Sequence, residues 1–342
     1  MDSLTHFSST DVSTEKHGVR MLCIVLSFNG KEDTVACLQS LMASPVPGLE
    51  ILVVDNASEQ GVVDFIKAAC PAVEVLSLPE NIGWAGGNNA GIKVGMQRGF
   101  DWICLMNNDL VFPSGQAKAW FNAVNNLPAC LLHPTIYYWD EPGVPQLHPG
   151  VDKAAEHAPC GTWSGKTLMN FSYGACLAVH RDIFAAIGLL DERFFLQLEE
   201  TDFHHRASKQ GFHSACDLNV KVFHKESRAF GGTRVPIKTY YSVRNTLLLI
   251  EKKHELLQGK LKDLKSLYWS LSRLAGVEKG RDYIGKGAFF FWFFSRSYSA
   301  RAVRLGVADY AFRRFGKVSE RAHRALQQKN GCLAKKVNVV EP

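Results

Sequence analysis

Leu105-Met106-Asn107-Asn108-Asp109-Leu110-Val111 is the stretch whose reading decides the fold. Apolar residues on either side read as a buried strand, yet the tip presents two amides and a carboxylate. Burying such groups is costly unless they are hydrogen-bonded or bound to something. In an open α/β sheet, ligands bind at the carboxyl ends of the strands. A carboxylate with amide neighbours there suits a hard divalent cation, which takes oxygen ligands and in turn holds phosphates. An Asx-rich turn that closes a strand would look the same. The triplet alone does not separate the two readings.

Working outward, Met21–Phe28 is a short apolar run that ends in Asn29-Gly30, the pattern of a central parallel strand. Helical spacing follows over Thr34–Met42, then Ser44-Pro45-Val46-Pro47-Gly48 breaks it. Glu50–Val54 reads as a second strand ending in Asp55, Val62–Ala69 as a helix, and Val73–Leu78 as a third strand. Alternation with short connections predicts βαβ units and a mostly parallel sheet flanked by helices. Asn81–Gly91 is a glycine-rich turn leading into a helix that ends near Gly99. Its glycines suit close backbone approach and its helix start suits an anion, so Asn81, Gly86 and Asn88 are candidate donor contacts. The glycine spacing is not that of a dinucleotide fingerprint, and it follows the third strand rather than the first. Trp102–Met106 is the fourth strand and delivers the Asn107-Asn108-Asp109 tip.

Further on, Pro113–Asn126 predicts a helix, and Leu127–Gly165, rich in Pro, Gly and His, predicts irregular or hairpin structure. Its histidines, His133, His148 and His157, lack ligand spacing and read as surface residues. Phe171–His180 reads as a strand and Arg181–Ile187 as a helix stopped by Gly188.

A second group of acids lies in Leu198-Glu199-Glu200-Thr201-Asp202-Phe203. Glu199 and Glu200 fall at a predicted helix start, where negative charge is favoured by ~0.3–1 kcal/mol. Close carboxylates also raise one another's pKa, which suits a general base. Val220–His224 reads as a strand ending in a histidine that could complete a cation shell. Arg228 and Arg244-Asn245 add groups suited to phosphate.

The chain has 342 residues, 46% of them hydrophobic and 21% charged, an ordinary globular balance with room for a large core. The nine cysteines have neither CxxC pairs nor zinc spacing, and Cys23, Cys104 and Cys176 read as core residues. Net charge is +6, weighted toward the last third, where Lys, Arg and aromatic residues interleave. That asymmetry points to an anionic partner. The longest apolar run, Ala288–Phe294, is far short of the roughly 20 residues that span a bilayer.

Taken in order, these stretches resemble the family 2 inverting glycosyltransferases of GT-A fold, in particular the bacterial rhamnosyltransferase-like branch. The resemblance covers about residues 20–250. It rests on Val25–Asn29, Val53–Ser58, the Asn81–Gly91 turn, Asn107-Asn108-Asp109, Gly174-Ala175-Cys176, Gly188–Phe195, Glu199–Asp202 and Arg244-Asn245. It implies that Asp55 contacts the nucleotide base, with Ser27, Asn29 and Asn108 lining the same pocket. Asp109, with His224, would hold Mg2+ or Mn2+ against the diphosphate, and Glu200 would be the base with Glu199 beside it. Asp202, Arg228 and Arg244 would face diphosphate or acceptor. Where the family carries Asp-x-Asp this chain has one carboxylate, and the base position, commonly Glu-Asp, reads Glu199-Glu200. The implied reaction moves a sugar from a nucleotide-diphosphate donor to a hydroxyl of a glycan or polyprenyl-diphosphate-linked acceptor. The branch points first to L-rhamnose from dTDP-L-rhamnose, with UDP-sugars (galactofuranose, glucose, GlcNAc) as the alternative. A non-catalytic sugar-nucleotide-binding or scaffolding protein is the alternative of another class.

The expected organisation is a disordered tail at 1–18, a GT-A domain over 19–250, a helical basic and aromatic region over 251–330, and a tail at 331–342. Residues 1–18 lack the apolar core of a signal peptide, which predicts a cytoplasmic protein, peripheral on the inner face of the membrane. The C-terminal helices suit an anionic membrane surface, or equally the catalytic domain or a second subunit in a homodimer. No nucleic-acid motif is present, and nucleic acid is not expected as a partner.

Overall fold

The computed structural model describes residues 18–43, 45–149, 151, 158–225, 236–254 and 256–326. The expected terminal tails, His157 and Arg228 therefore lie outside the described residues, apart from Gly18. Strand β1 (Met21–Ser27) is buried at every position, as its uninterrupted apolar run requires. β2 (Leu49–Asp55) and β4 (Trp102–Asn107) flank it in parallel, and β3 (Glu74–Ser77) adds to β2, giving the order β3-β2-β1-β4.

Alternate β1 residues feed two cores. Met21, Cys23 and Val25 face α1 (Lys31–Met42), α2 (Val62–Ala69) and α4 (Gln116–Asn122). Leu22, Ile24 and Leu26 face α3 (Gly83–Gln97), α5 (Arg181–Ile187) and α6 (Glu199–Lys209). The residues read as a glycine-rich turn are mostly α3 itself. A Cβ at Gly87 would stand 2.5 Å from Leu26 and one at Gly91 2.8 Å from Ile24. These glycines let α3 lie on β1, so their close approach is to the sheet rather than to a ligand.

Beyond β4 the sheet becomes mixed. β10 (Cys176–His180) runs antiparallel to β4 and to β6 (Cys130–Tyr138), and β11 (His213–His224) runs parallel to β6. β9 (Lys166–Met169) and β8 (Thr162–Trp163) continue this edge, β7 (Pro145–Leu147) pairs with β6, and β5 (Leu110–Val111) pairs with β11. The apolar residues after the Asn-Asn-Asp tip thus form β5, a separate strand, instead of prolonging β4.

Of the irregular or hairpin structure expected over 127–165, hairpin pairs are present, β8 with β9 and β7 with β6, and β6 also enters the main sheet. Its Pro134 concealed it, but Pro134 lies past the end of the β10 pairing, where β11 also bulges between Asp217 and Lys221. The missing N–H therefore breaks no ladder bond on the β10 side. His133, expected at the surface, is buried and reaches Ser214 Oγ at 3.2 Å, and His148 is half-buried. Cys23, Cys104 and Cys176 are fully buried.

The C-terminal helices are α7 (Pro236–Lys253), α8 (Leu257–Glu278), α9 (Lys286–Phe293), α10 (Tyr298–Ala311) and α11 (Glu320–Leu326). Tyr240 and Tyr241 of α7 pack with Ala302 of α10, and Val243 with Val303 of α10 and Trp292 of α9. Packing on the catalytic domain is thus realised through α7 and α10. No helix among the described residues is long and apolar enough to cross a membrane.

Candidate active site

Parallel register sets the site. Ser27 is level with Asp55, and Leu26 with Asn107, so the carboxyl ends of three neighbouring strands open onto one edge. The cleft there is walled by Phe28, Asn56, Trp84, Asn107, Asp109 and Lys238, among others. Ser27 does not face it: the side chain is fully buried and shares a 2.9 Å hydrogen bond with Thr34 Oγ1. Thr34 in turn accepts from Asn108 Nδ2 at 2.9 Å, so Ser27 and Thr34 prop the tip from beneath. Asp55 Oδ2 accepts from the Ser58 amide at 3.3 Å, while its buried Oδ1 has no protein partner. A buried carboxylate oxygen without a protein partner calls for a donor from outside the protein, water or ligand.

Asn29 adopts φ 59° and its Oδ1 accepts from the Glu59 amide at 2.7 Å, holding the loop after β2. Asn56 ties that loop to the start of α3, donating to Gly83 O at 3.0 Å and accepting from Ile82 N at 3.0 Å. Asn81 lines the cleft. Asn88 is buried within α3 and donates to Trp84 O, and the Cβ position of Gly86 is filled by Ile82. Neither belongs to the wall among the residues described.

At the tip, Asn107 Oδ1 accepts from Trp84 Nε1 at 3.0 Å and its Nδ2 lies 3.3 Å from His224 Nε2. Gln146 brackets the histidine. Its Nε2 donates to His224 O at 3.2 Å, so its Oε1, 2.7 Å from Nδ1, accepts the proton on that nitrogen. His224 Nε2 is thereby turned toward Asp109 Oδ1, 3.2 Å away. Burial alone would raise the Asp109 pKa, but the hydrogen bond and charge at His224 more than offset it and hold the carboxyl below its usual range. With a proton on Nε2 this contact is a charged hydrogen bond; with that proton gone two electron-rich atoms face each other, a donor pair that a divalent cation would satisfy. Among the described residues no group of three or more His, Cys, Asp or Glu is arranged to hold a metal ion. A cation here would rest on Asp109 and His224, with diphosphate oxygens and water completing its shell, a habit of Mg2+ in particular.

Glu199 and Glu200 open α6 behind an unusual loop. Phe195, Gln197 and Leu198 all take positive φ, 62°, 72° and 71°, each costing on the order of 1–3 kcal/mol. The loop is held from two sides. Phe195 O accepts from Trp84 N, and a Cβ at Gly83 would collide with that carbonyl, so this position with φ 82° admits only glycine. From α7, Asn245 Nδ2 donates to Phe194 O, Leu196 O and Gln197 O, each at 2.8 Å, and Arg244 Nη2 donates to Phe194 O at 2.9 Å. Glu199 is buried with Oε2 unpartnered, and burial followed by the Glu200 charge pushes its pKa well up. Burial raises Glu200 to about 7, although its side chain keeps an open edge. Glu200 Cγ and the Trp84 ring both border Gly174, 3.6 and 3.2 Å from where its Cβ would stand.

Two expected contacts are placed elsewhere. Asp202 is buried in ion pairs with Arg206 (2.9 Å) and Lys252 (2.6 Å). Arg244 is fully buried, and its donors go to the carbonyls of Phe194, Arg193 and Gly316 and to Asn245 and Tyr240. Neither is presented to a diphosphate. Sequence reasoning missed Trp84, Gln146, Gln197 and Lys238, which nothing in the local pattern distinguishes from ordinary polar or core residues.

Residues 22–184 match the model of Glycosyl transferase family 2. The chain is 25% identical over 221 residues to the N-acetylglucosaminyl-diphospho-decaprenol L-rhamnosyltransferase of Mycobacterium tuberculosis, covering 57% of this chain and 72% of that one. It is 24% identical to the dTDP-rhamnosyl transferase RfbF of Shigella flexneri, over 60% and 71% of the two chains. Among solved structures, S. aureus TarS 1-349 with UDP-GlcNAc superposes with a TM-score of 0.57 at 14% identity, covering 90% of this chain and 84% of that one. The mannosyltransferase PcManGT of Pyrobaculum calidifontis, with GDP-Man and Mn2+, gives 0.52 at 11% identity, over 87% and 89%. The fold is of GT-A type, residues 22–184 form a family 2 glycosyltransferase domain, and the chain is a glycosyltransferase that draws on a nucleotide-sugar donor.

Proposed function

We propose that the chain transfers L-rhamnose from dTDP-L-rhamnose, with inversion, to a hydroxyl of a lipid-linked glycan in surface-polysaccharide assembly. The rhamnosyl donor and the lipid-linked acceptor are supported by the relatives named above. The observation that carries the chemistry is Glu200, a carboxylate raised by burial to about 7 that borders Gly174 together with Trp84, whose indole donates to the Asn107 tip.

Asp55 Oδ1 receives a ring N–H of the nucleotide base, and Asn56 and Asn81 hold the loop that borders it. Asn108 and Lys238 face the diphosphate. Asp109 and His224 would hold a divalent cation, which supplies positive charge against the leaving nucleoside diphosphate. Glu200 accepts the proton of the acceptor hydroxyl as its oxygen forms the new bond to the anomeric carbon. The bond to the diphosphate oxygen breaks on the opposite face, and its electron pair leaves with the nucleoside diphosphate. One displacement inverts the carbon. Burial and the Glu200 charge push the Glu199 pKa up, which disfavours a second charge next to the base.

The test incubates the purified chain with a panel of dTDP- and UDP-sugars, Mg2+ or Mn2+, and a polyprenyl-diphosphate-linked GlcNAc acceptor, scoring nucleoside diphosphate and glycosylated lipid. Turnover of dTDP-rhamnose, abolished by Glu200→Gln with nucleotide binding retained, is expected. Turnover of a UDP-sugar alone would replace the rhamnose assignment, and equal turnover by the Gln variant would remove Glu200 from the chemistry.

A further inference from the structure

We infer that the outer face of α8 and α9 is a landing surface for an anionic lipid bilayer. Helix α9 with its C-cap is apolar on both sides: Trp292 is 2% exposed and packs inward, whereas Phe290, Phe291 and Phe294 are 60%, 76% and 63% exposed. These three rings form a cluster, with centroids 6.0 Å apart for Phe290–Phe291 and 5.0 Å for Phe290–Phe294. On α8, Leu257, Leu261 and Leu264 stand exposed at helical spacing, and Tyr268 continues their stripe. Tyr268 touches Phe289 at 5.1 Å, so the stripe runs into α9. Trp269 and Tyr283, both open to solvent, pair beside it at 6.4 Å. A contiguous apolar face of this kind on a water-soluble surface marks a binding surface.

Charge says what binds. Between Leu257 and Arg296 the sequence carries eight Lys or Arg against three Asp or Glu, nearly the whole net charge of +6. Two of the three acids are engaged, Asp263 with His254 and Glu278 with the Trp292 indole. Lys260, Lys265 and Lys286 remain on these helices beside the leucine and phenylalanine positions. Aromatic and aliphatic side chains rimmed by cations match the headgroup region of an anionic membrane, where a helix lies in the plane of the interface. A second copy of the chain would bring one cationic rim against another, which like-charge repulsion opposes. The α9 segment is far too short to span, so the contact is peripheral. The inference does not depend on which sugar is transferred.

Flotation of the purified full chain with vesicles tests it. Vesicles of phosphatidylglycerol and phosphatidylcholine should capture the chain at least about ten-fold better than phosphatidylcholine alone, and about 0.5 M salt should weaken the capture. The variant Phe290→Ser/Phe291→Ser/Phe294→Ser should lose about ten-fold or more while keeping the wild-type melting temperature. Phe291→Ser alone, and Lys260→Glu/Lys265→Glu/Lys286→Glu, give graded losses that do not rely on the triple variant folding. Undiminished capture of all three variants overturns the inference. So does a chain that ignores both vesicles yet dimerises through this face, with dimerisation lost in the serine variant.

Discussion

Replacing Asn245 by alanine should loosen the loop that presents Glu200. One amide group with two hydrogens serves the carbonyls of Phe194, Leu196 and Gln197. After the change Phe194 O keeps the Arg244 guanidinium, but Leu196 O and Gln197 O lose their side-chain donor. A partly buried carbonyl left without its donor costs about 1–1.5 kcal/mol net, so the native state should lose roughly 2–3 kcal/mol. The three positive-φ residues store at least as much strain, about 3–9 kcal/mol together, which favours relaxation of this loop over distortion of α7. Relaxation would hydrate Glu200 and bring its pKa from about 7 toward that of an ordinary glutamate. Urea unfolding and the pH dependence of turnover are the assays. We expect the lower stability together with an acid limb displaced downward by about one pH unit and a reduced maximal rate. Asn245→Asp, although isosteric, should be worse than alanine, because its carboxylate would face three carbonyl oxygens. A variant within about 0.5 kcal/mol of wild type with an unmoved acid limb would refute the clamp.

The two glutamates should separate by substitution. Glu200→Gln is expected to lower turnover by about 10²–10⁴-fold, whereas Glu199→Gln, replacing a group whose burial disfavours its charge, should keep most of it. Steady-state rates at saturating donor decide, and the reverse order would make Glu199 the base. A base must be ionised, and the Glu200 pKa is raised, so turnover should rise with pH through about 7 and level off above it. A profile already flat at pH 5 would contradict that. For stability the sign is opposite: the folded state holds the Glu200 proton more tightly than the unfolded chain does. Its stabilising contribution is therefore present below the unfolded pKa and lost as pH rises toward 7, which urea titrations of wild type and Glu200→Gln between pH 5 and 8 should show. Gln146→Leu leaves the His224 ring unoriented, and should weaken Mn2+ binding measured calorimetrically in the presence of nucleoside diphosphate by about ten-fold or more. Gly83→Ala should unfold or inactivate the chain, since the new methyl meets the Phe195 carbonyl. Normal melting of that variant would show the loop to be more pliant than its contacts imply.

What the sequence revealed follows the physics of each element. The parallel half was legible because a strand buried on both faces must be a continuous apolar run, as β1 is. The Val62–Ala69 and Arg181–Ile187 helices appear at the predicted residues because glycine marks an end of each. β6 was concealed because proline and histidine signal loops, and only the tertiary pairing shows that Pro134 interrupts no bond to β10. Among site residues, Asp109, His224 and Glu200 stood out because an acid or imidazole next to an apolar run needs a reason. Arg244 misled, since the same fork of donors that suits a phosphate also suits backbone carbonyls, and its neighbours on the far side of the fold decide between them. Trp84, Gln146 and Lys238 gave no local sign at all. Their meaning comes from what lies across the cleft.

The clamp also bears on how far this chain can be divided. Compositional change placed a boundary near residue 250, which falls within α7, Pro236–Lys253. That helix holds the Glu200 loop with one face and receives α10 on another, where a Cβ at Gly306 would press 2.8 Å from Tyr240 O. Arg244 itself reaches past α10 to the carbonyl of Gly316. Glu200, the proposed base, is therefore braced by residues more than a hundred positions downstream, and the C-terminal helices are less an appendage than a buttress. A fragment cut at that boundary would keep the parallel strands and forfeit the wall that shapes the Glu200 loop.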